Sequence, residues 1–124
     1  MAYNLEHLQV QLIEDNSNMR ALVKAMLNAL GMENVHDYAN GEQAMAALRD
    51  ITPDLIITDW MMAPVDGLEY TKFIRDHIDS PDIFTPIILM TGHTERWRII
   101  AARDAGVTEL LAKPISAKTL YDRI

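Results

Sequence analysis

Hydrophobic and polar positions alternate between two patterns along the chain. Short runs of branched apolar residues predict strands at 8–13 (LQVQLI), 34–39 (NVHDYA), 54–58 (DLIIT), 86–90 (PIILM) and 109–112 (ELLA). Longer segments with spaced apolar positions predict helices at 17–31, 40–50, 67–78, 94–106 and 116–124. In the first helix Leu22, Met26, Leu27 and Leu30 form the expected apolar stripe. Asn16 or Ser17 caps its start and Gly31 ends it. Asn40 caps the second helix, and Gly106 closes the fourth. The runs at 54–58 and 86–90 are apolar without a break, so both faces of those strands are expected to be covered.

Strand and helix therefore alternate five times. Strands separated by helices cannot form hairpins. They join through right-handed crossovers into a parallel sheet with helices on both faces, an α/β doubly wound architecture. In such sheets ligands bind beyond the carboxyl ends of the strands, so the residues that follow each apolar run carry the most information.

Length and composition narrow the classes. A chain of 124 residues, 49% hydrophobic and 23% charged, suits one globular domain spanning residues 1–124. Its formal net charge of -7 argues against direct nucleic-acid binding through the phosphate backbone. No cysteine is present, which excludes disulfides, thiolate metal sites and a cysteine nucleophile. No apolar stretch approaches the roughly 18 residues of a membrane helix. The N-terminal MAYNLEHLQVQ does not read as a signal peptide. A cytoplasmic protein with no membrane contact is expected. The chain stops within its predicted last helix, so it is expected either to stand alone or to be cut from a longer protein, the short last helix favouring the second.

The strand ends collect Glu14 and Asp15, then Asp59, Thr91, Lys113 and Pro114. The topology brings these to one sheet edge from positions far apart in sequence. Two carboxylates about 4 Å apart repel by roughly 4 kcal/mol at an effective dielectric near 20. Lys113 offsets part of this, and a hard cation with oxygen ligands, Mg²⁺ or Mn²⁺, would offset the rest. Such a combination suits phosphoryl chemistry. Asp59 would be the nucleophile, Lys113 would neutralise phosphoryl oxygens, and the Thr91 hydroxyl would donate to one of them. Each residue also has an ordinary reading. Asp59 would serve as a turn residue, Glu14–Asp15 as a helix cap, Lys113 as a solvated edge cation and Thr91 as a helix-start residue.

The motifs LIED (12–15), DLIITDWMM (54–62), DGLE (66–69), PIILMTG (86–92) and LLAKPIS (110–116), in that order, resemble the receiver domain of two-component response regulators, the CheY-like fold. The resemblance spans the whole chain. It implies a flavodoxin-like (βα)5 domain with strand order 2-1-3-4-5. It implies that Asp59 accepts the phosphoryl group and that Asp15 ligates the metal directly. Glu14 would act through water, and Met61 would contribute its backbone carbonyl. Thr91 would follow the phosphoryl group, Lys113 would pair with it, and the Lys113–Pro114 bond would be cis. The implied function is a phosphorelay switch. A sensor histidine kinase or histidine phosphotransfer protein supplies the phosphoryl group, and a downstream target or a missing output domain reads it. Such a chain is not an enzyme beyond its own phosphorylation and dephosphorylation.

Three features depart from the family pattern. Pro64 stands one position later than is common, with Ala63 in its place. Met61 and His93 occupy positions at which family members tune water access to the aspartyl phosphate. Leu110 stands where an aromatic ring often reports activation. Leu110, Trp97, Ile99 and Arg103, with Arg96, mark the candidate partner surface, with Ile100 and Ala101 expected to form the buried stripe of that helix. Leu110 motivates a second reading, a constitutive docking module without a working switch. A phosphatase would want a second aspartate where Met61 stands. A flavodoxin-type cofactor binder would want a phosphate-cradling loop where EDNSNM is acidic.

Overall fold

The computed structural model describes residues 5–124, and the start of the N-terminal segment lies outside the described residues. The elements are β1 (Gln9–Ile13), α1 (Ser17–Ala29), β2 (Asn34–Tyr38), α2 (Gly41–Ala47), β3 (Leu55–Asp59), α3 (Gly67–Asp76), β4 (Ile87–Thr91), α4 (Arg96–Ala105), β5 (Glu109–Ala112) and α5 (Ala117–Arg123). All neighbouring strands are parallel, and the sheet order is β2-β1-β3-β4-β5. The chain is thus an α/β doubly wound, flavodoxin-like fold of five strands and five helices.

Strand alternation divides the core. Val10, Leu12, Leu55, Ile57, Ile88 and Met90 point to one face and pack with Val23 and Leu27 of α1 and Leu120 of α5. Ile13, Ile56 and Ile87 point to the other and meet Ala44 of α2 and Tyr70 and Ile74 of α3. Leu89 lies beside Trp60 and Ala102 of α4. Every residue of β3 and β4 is buried, which is why residues 55–57 and 87–90 are apolar.

The helix boundaries follow capping chemistry. Asn16 caps α1 by accepting from Met19 N, and Asn40 caps α2 by accepting from Gln43 N. Gly106, at φ 100°, closes α4 in the left-handed region. Leu22 does not join the core. It is half exposed, and Val23 takes the buried position, because the α1 face against the sheet is set by Val23 and Leu27. On α4 the buried positions are Ala102 and Ala105, whereas Ile100 is exposed and Ala101 only half-buried. The buried positions of this helix are thus small residues, and its larger apolar side chains lie outside.

One polar network sits inside the second core layer. The fully buried Tyr70 donates its hydroxyl to Gln11 Oε1 at 2.5 Å, and Gln11 Nε2 donates to the Ala44 carbonyl at 3.0 Å. Burial, opposed by that hydrogen bond, pushes the phenol well above its usual range. Tyr70→Phe leaves Gln11 Oε1 buried and unpaired, so urea unfolding is expected to show a loss of about 1–3 kcal/mol. A variant as stable as the parent would mean that water replaces the hydroxyl.

Candidate functional site: an acidic cluster at the sheet edge

β3 runs one residue further than the apolar pattern predicts and takes in Asp59; β4 likewise takes in Thr91. Asp59 pairs in register with Met90 and is 5% exposed. A carboxylate so buried needs a partner, and Lys113 provides it, with Nζ 2.8 Å from Asp59 Oδ1. The lysine is aimed by its backbone: Lys113 N donates to the Thr91 carbonyl at 2.8 Å, and the Lys113–Pro114 peptide is cis.

Glu14 follows β1. Its amide donates to the Tyr38 carbonyl, and its side chain is 1% exposed. Oε1 accepts from Asn16 N at 3.2 Å, while Oε2 has no hydrogen-bond partner among the described residues and lies 3.5 Å from Lys113 Nζ. Burial first, and the Asp59 charge second, push the Glu14 carboxyl above its ordinary range. Burial disfavours the Lys113 ammonium, but hydrogen bonding and charge from Asp59, with Glu14 behind it, outweigh this and raise its pKa. Asp15 is exposed at the mouth. Oxygens of Glu14, Asp15 and Asp59 all lie within 4.8 Å of one another. Two of these carboxylates share the Lys113 ammonium, and one buried Glu14 oxygen has that ion pair but no hydrogen bond among the described residues. An all-oxygen donor set of this kind fits a hard divalent cation.

The residues after Asp59 explain an oddity of the sequence, an apolar run continuing past the carboxylate. Trp60 and Met62 are both buried, in different parts of the core, and anchor the loop on either side of Met61. Met61 is 55% exposed, so its side chain does no packing work comparable to theirs. The Ala63–Pro64 peptide is also cis. Asp66 then starts α3 with a capping box, accepting from Glu69 N at 2.8 Å. The Gly67 amide donates to the Trp60 carbonyl at 2.9 Å, tying the loop back to the strand end.

Thr91 reaches the same edge, but its hydroxyl is engaged locally. Oγ1 accepts from His93 N at 2.9 Å and donates to His93 O at 3.2 Å. The His93 ring is half exposed, 3.7 Å from Glu95. Trp97, Ile99, Arg96 and Arg103 are exposed on α4, and Leu110 is half-buried against Trp60, Leu89 and Ala102. The burial of Ala102 and Ala105 turns Trp97 outward. Two further residues matter through contacts that the pattern does not show, although DGLE contains the first. One is Gly67, whose Cα lies against the Asp59 carbonyl. The other is Arg98, stacked between Trp60 and Trp97. Their importance comes from contacts across 8 and 38 residues, beyond the reach of any local pattern.

Comparison with known proteins agrees with this geometry. The family model described as response regulator receiver domain matches residues 10–124. The chemotaxis protein CheY-3 of Vibrio cholerae is 31% identical over 119 residues, covering 96% of this chain and 90% of that protein. The solved structure of Vibrio cholerae chemotaxis protein CheY4 superposes with a TM-score of 0.84 at 30% identity, covering 93% of each chain. The receiver domain of the sensor histidine kinase PA1611 from Pseudomonas aeruginosa, which has magnesium coordinated in its active site cleft, gives 0.80 at 29% identity, covering 93% of this chain and 92% of that one. Among the described residues, no helix is long and apolar enough to cross a membrane.

Proposed function

The chain belongs to the response regulator receiver domain family, CheY-like modules of two-component signalling, and from that membership we propose that it is a phosphorylation-dependent switch whose phosphoacceptor is Asp59. The observation that carries this reading is one buried carboxylate, Asp59, held by Lys113 at 2.8 Å and clustered with Glu14 and Asp15. A receiver of this kind takes its phosphoryl group from a histidine kinase or a phosphotransfer protein and passes the signal to a downstream target or output domain. It is a signalling module rather than an enzyme with a released substrate.

Glu14, Asp15 and Asp59, with the Met61 carbonyl, would hold Mg²⁺ or Mn²⁺. Such an ion, when bound, would lower the mutual repulsion of the carboxylates and the negative charge of an incoming phosphoryl group. The remaining work falls to the chain's own groups. Asp59 forms the new Oδ–P bond, while the P–N bond of a phosphohistidine donor, or the P–O bond of a small acyl phosphate, breaks and the donor keeps the electron pair. Lys113 shifts its ion pair from the free carboxylate to phosphoryl oxygens, which keeps its charge compensated throughout. The Thr91 hydroxyl would leave the His93 backbone to donate to the phosphoryl group.

Incubation with Mg²⁺ and acetyl phosphate or phosphoramidate, followed by intact-mass measurement, is expected to show a gain of one phosphoryl group. Asp59→Asn is expected to abolish the gain completely, since the amide oxygen is not a competent nucleophile here. A parent chain that never gains mass would instead favour a constitutive docking module.

A further inference from the structure

The Arg98 guanidinium lies between the two tryptophans of the chain. Its Cζ stands 4.5 Å from the Trp97 ring centroid and 5.4 Å from that of Trp60. Nη1 lies 3.9 Å from the Met61 sulfur, and Nε lies 3.5 Å from a Glu95 oxygen. The side chain is only 18% exposed, and its buried Nε has no hydrogen-bond partner among the described residues. An apolar side chain would fill this place without desolvating a charge. Stacking on two indoles recovers part of that cost, because a cation over an aromatic face is attracted by the ring quadrupole.

The arrangement supplies a connection. Trp60 directly follows Asp59, and its carbonyl accepts from the Gly67 amide at the start of α3. Met61 is the next residue of the same loop. Trp97, at 61% exposure, stands on the outer face of α4 with Ile99 and Ile100. One rigid, planar cation therefore touches both the loop behind the acidic cluster and the exposed apolar face of α4. Leu110 packs against Trp60 from within, but it is aliphatic and offers no comparable polar contact to the loop.

We infer that Arg98 is a positioning residue that couples the loop after Asp59 to the Trp97 face of α4, so that phosphorylation is read out through the Trp60–Arg98–Trp97 stack. The inference rests on Asp59 being the phosphoacceptor. A phosphoryl group brings negative charge next to Trp60, and a charge-assisted attraction exceeds what an indole face offers the guanidinium. Arg98 shifts toward the loop, its stacking on Trp97 weakens, and the α4 face repacks.

Trp60 and Trp97 are the only tryptophans in the sequence, so Trp60→Phe leaves Trp97 as the single indole emitter while keeping an aromatic face under Arg98. This variant of the 124-residue chain is treated with Mg²⁺ and phosphoramidate, with Trp97 emission and intact mass followed together. A change in Trp97 emission in step with the mass gain is expected. Adding Arg98→Ala is expected to remove the emission change while the mass gain still reaches the same end point. Arg98→Lys, which keeps the charge but not the plane, is expected to retain part of it. A mass gain with no Trp97 response, or with a response untouched by Arg98→Ala, overturns the inference alone. Absence of any mass gain overturns the phosphoacceptor reading and this inference with it.

Discussion

Gly67→Ala is expected to destabilise the protein by about 3 kcal/mol or more, an overpacking penalty at the upper end of its usual range. A Cβ built on Gly67 would overlap the Asp59 carbonyl oxygen and lie 2.6 Å from Leu89 Cδ1 and 3.1 Å from the Asp59 carbonyl carbon. Leu89 is fully buried and has no free volume to retreat into. The Asp59 carbonyl belongs to the end of the central strand, so relief requires moving the residue that bears the proposed phosphoacceptor. Alanine's better helix propensity is worth roughly 1 kcal/mol and does not decide the outcome. Phosphorylation should fall together with stability, because one displacement causes both. Gly92→Ala is the control: its Cβ meets nothing within 4 Å, and a change within about 0.5 kcal/mol is expected. Denaturant unfolding of both variants checks this, and a Gly67→Ala midpoint equal to that of Gly92→Ala would refute the close approach.

Glu14→Gln is expected to reverse the order of stability between metal-free and Mg²⁺-containing buffer. Without metal, Glu14 carries a buried charge that Asp59 repels, and its Oε2 has a 3.5 Å ion pair to Lys113 but no hydrogen bond among the described residues. On substitution Lys113 loses its longer contact to Glu14 but keeps the shorter one to Asp59. Removing the charge should therefore stabilise the metal-free protein, by about 1 kcal/mol. The pH dependence has a definite sign. A carboxyl whose folded pKa is raised contributes stability that is fully present below its ordinary unfolded value. That contribution is lost as pH rises through the folded value. Metal-free parent protein should thus gain from acidification toward the ordinary carboxylate range, relative to Glu14→Gln, which lacks this component. With Mg²⁺ at about 100 times its dissociation constant, the parent gains about 2.7 kcal/mol by mass action. The variant, having lost one anionic ligand, gains much less. Thermal unfolding of both proteins in EDTA and in Mg²⁺ tests this, and an unchanged order in the two buffers would show that Glu14 takes no part in metal binding.

Much of the architecture was legible from the sequence alone. Unbroken apolar runs at 54–58 and 86–90 announced buried central strands, and spaced apolar positions between them announced crossover helices. Asn16, Asn40 and Gly106 fixed element ends through backbone hydrogen bonding that any chain must satisfy. The strand-end residues Glu14, Asp15, Asp59 and Lys113 were gathered by topology before any distance was known, and the structure brings their side chains together. These features are legible because each depends on a few neighbouring residues or on the handedness of the crossover.

Other features needed three dimensions. Leu22 and Ile100 sit at apolar positions in amphipathic helices yet face outward, because the neighbouring Val23 and the close-packed Ala102 and Ala105 fill the sheet-facing side. Periodicity gives a stripe, but the rotation of a helix about its axis is chosen by what it packs against. The hold of the His93 backbone on the Thr91 hydroxyl is likewise visible only in three dimensions. DGLE contains Gly67 but does not show its close approach to the Asp59 carbonyl, and Arg98 shows no local signal, since it acts through two tryptophans 37 residues apart. The sequence by itself determined which residues form strands and which charged groups reach one edge, since periodicity and crossover handedness are properties of the chain. Only the tertiary structure decided which side chains touch there, since contact depends on packing volume and on hydrogen bonds between segments distant in sequence.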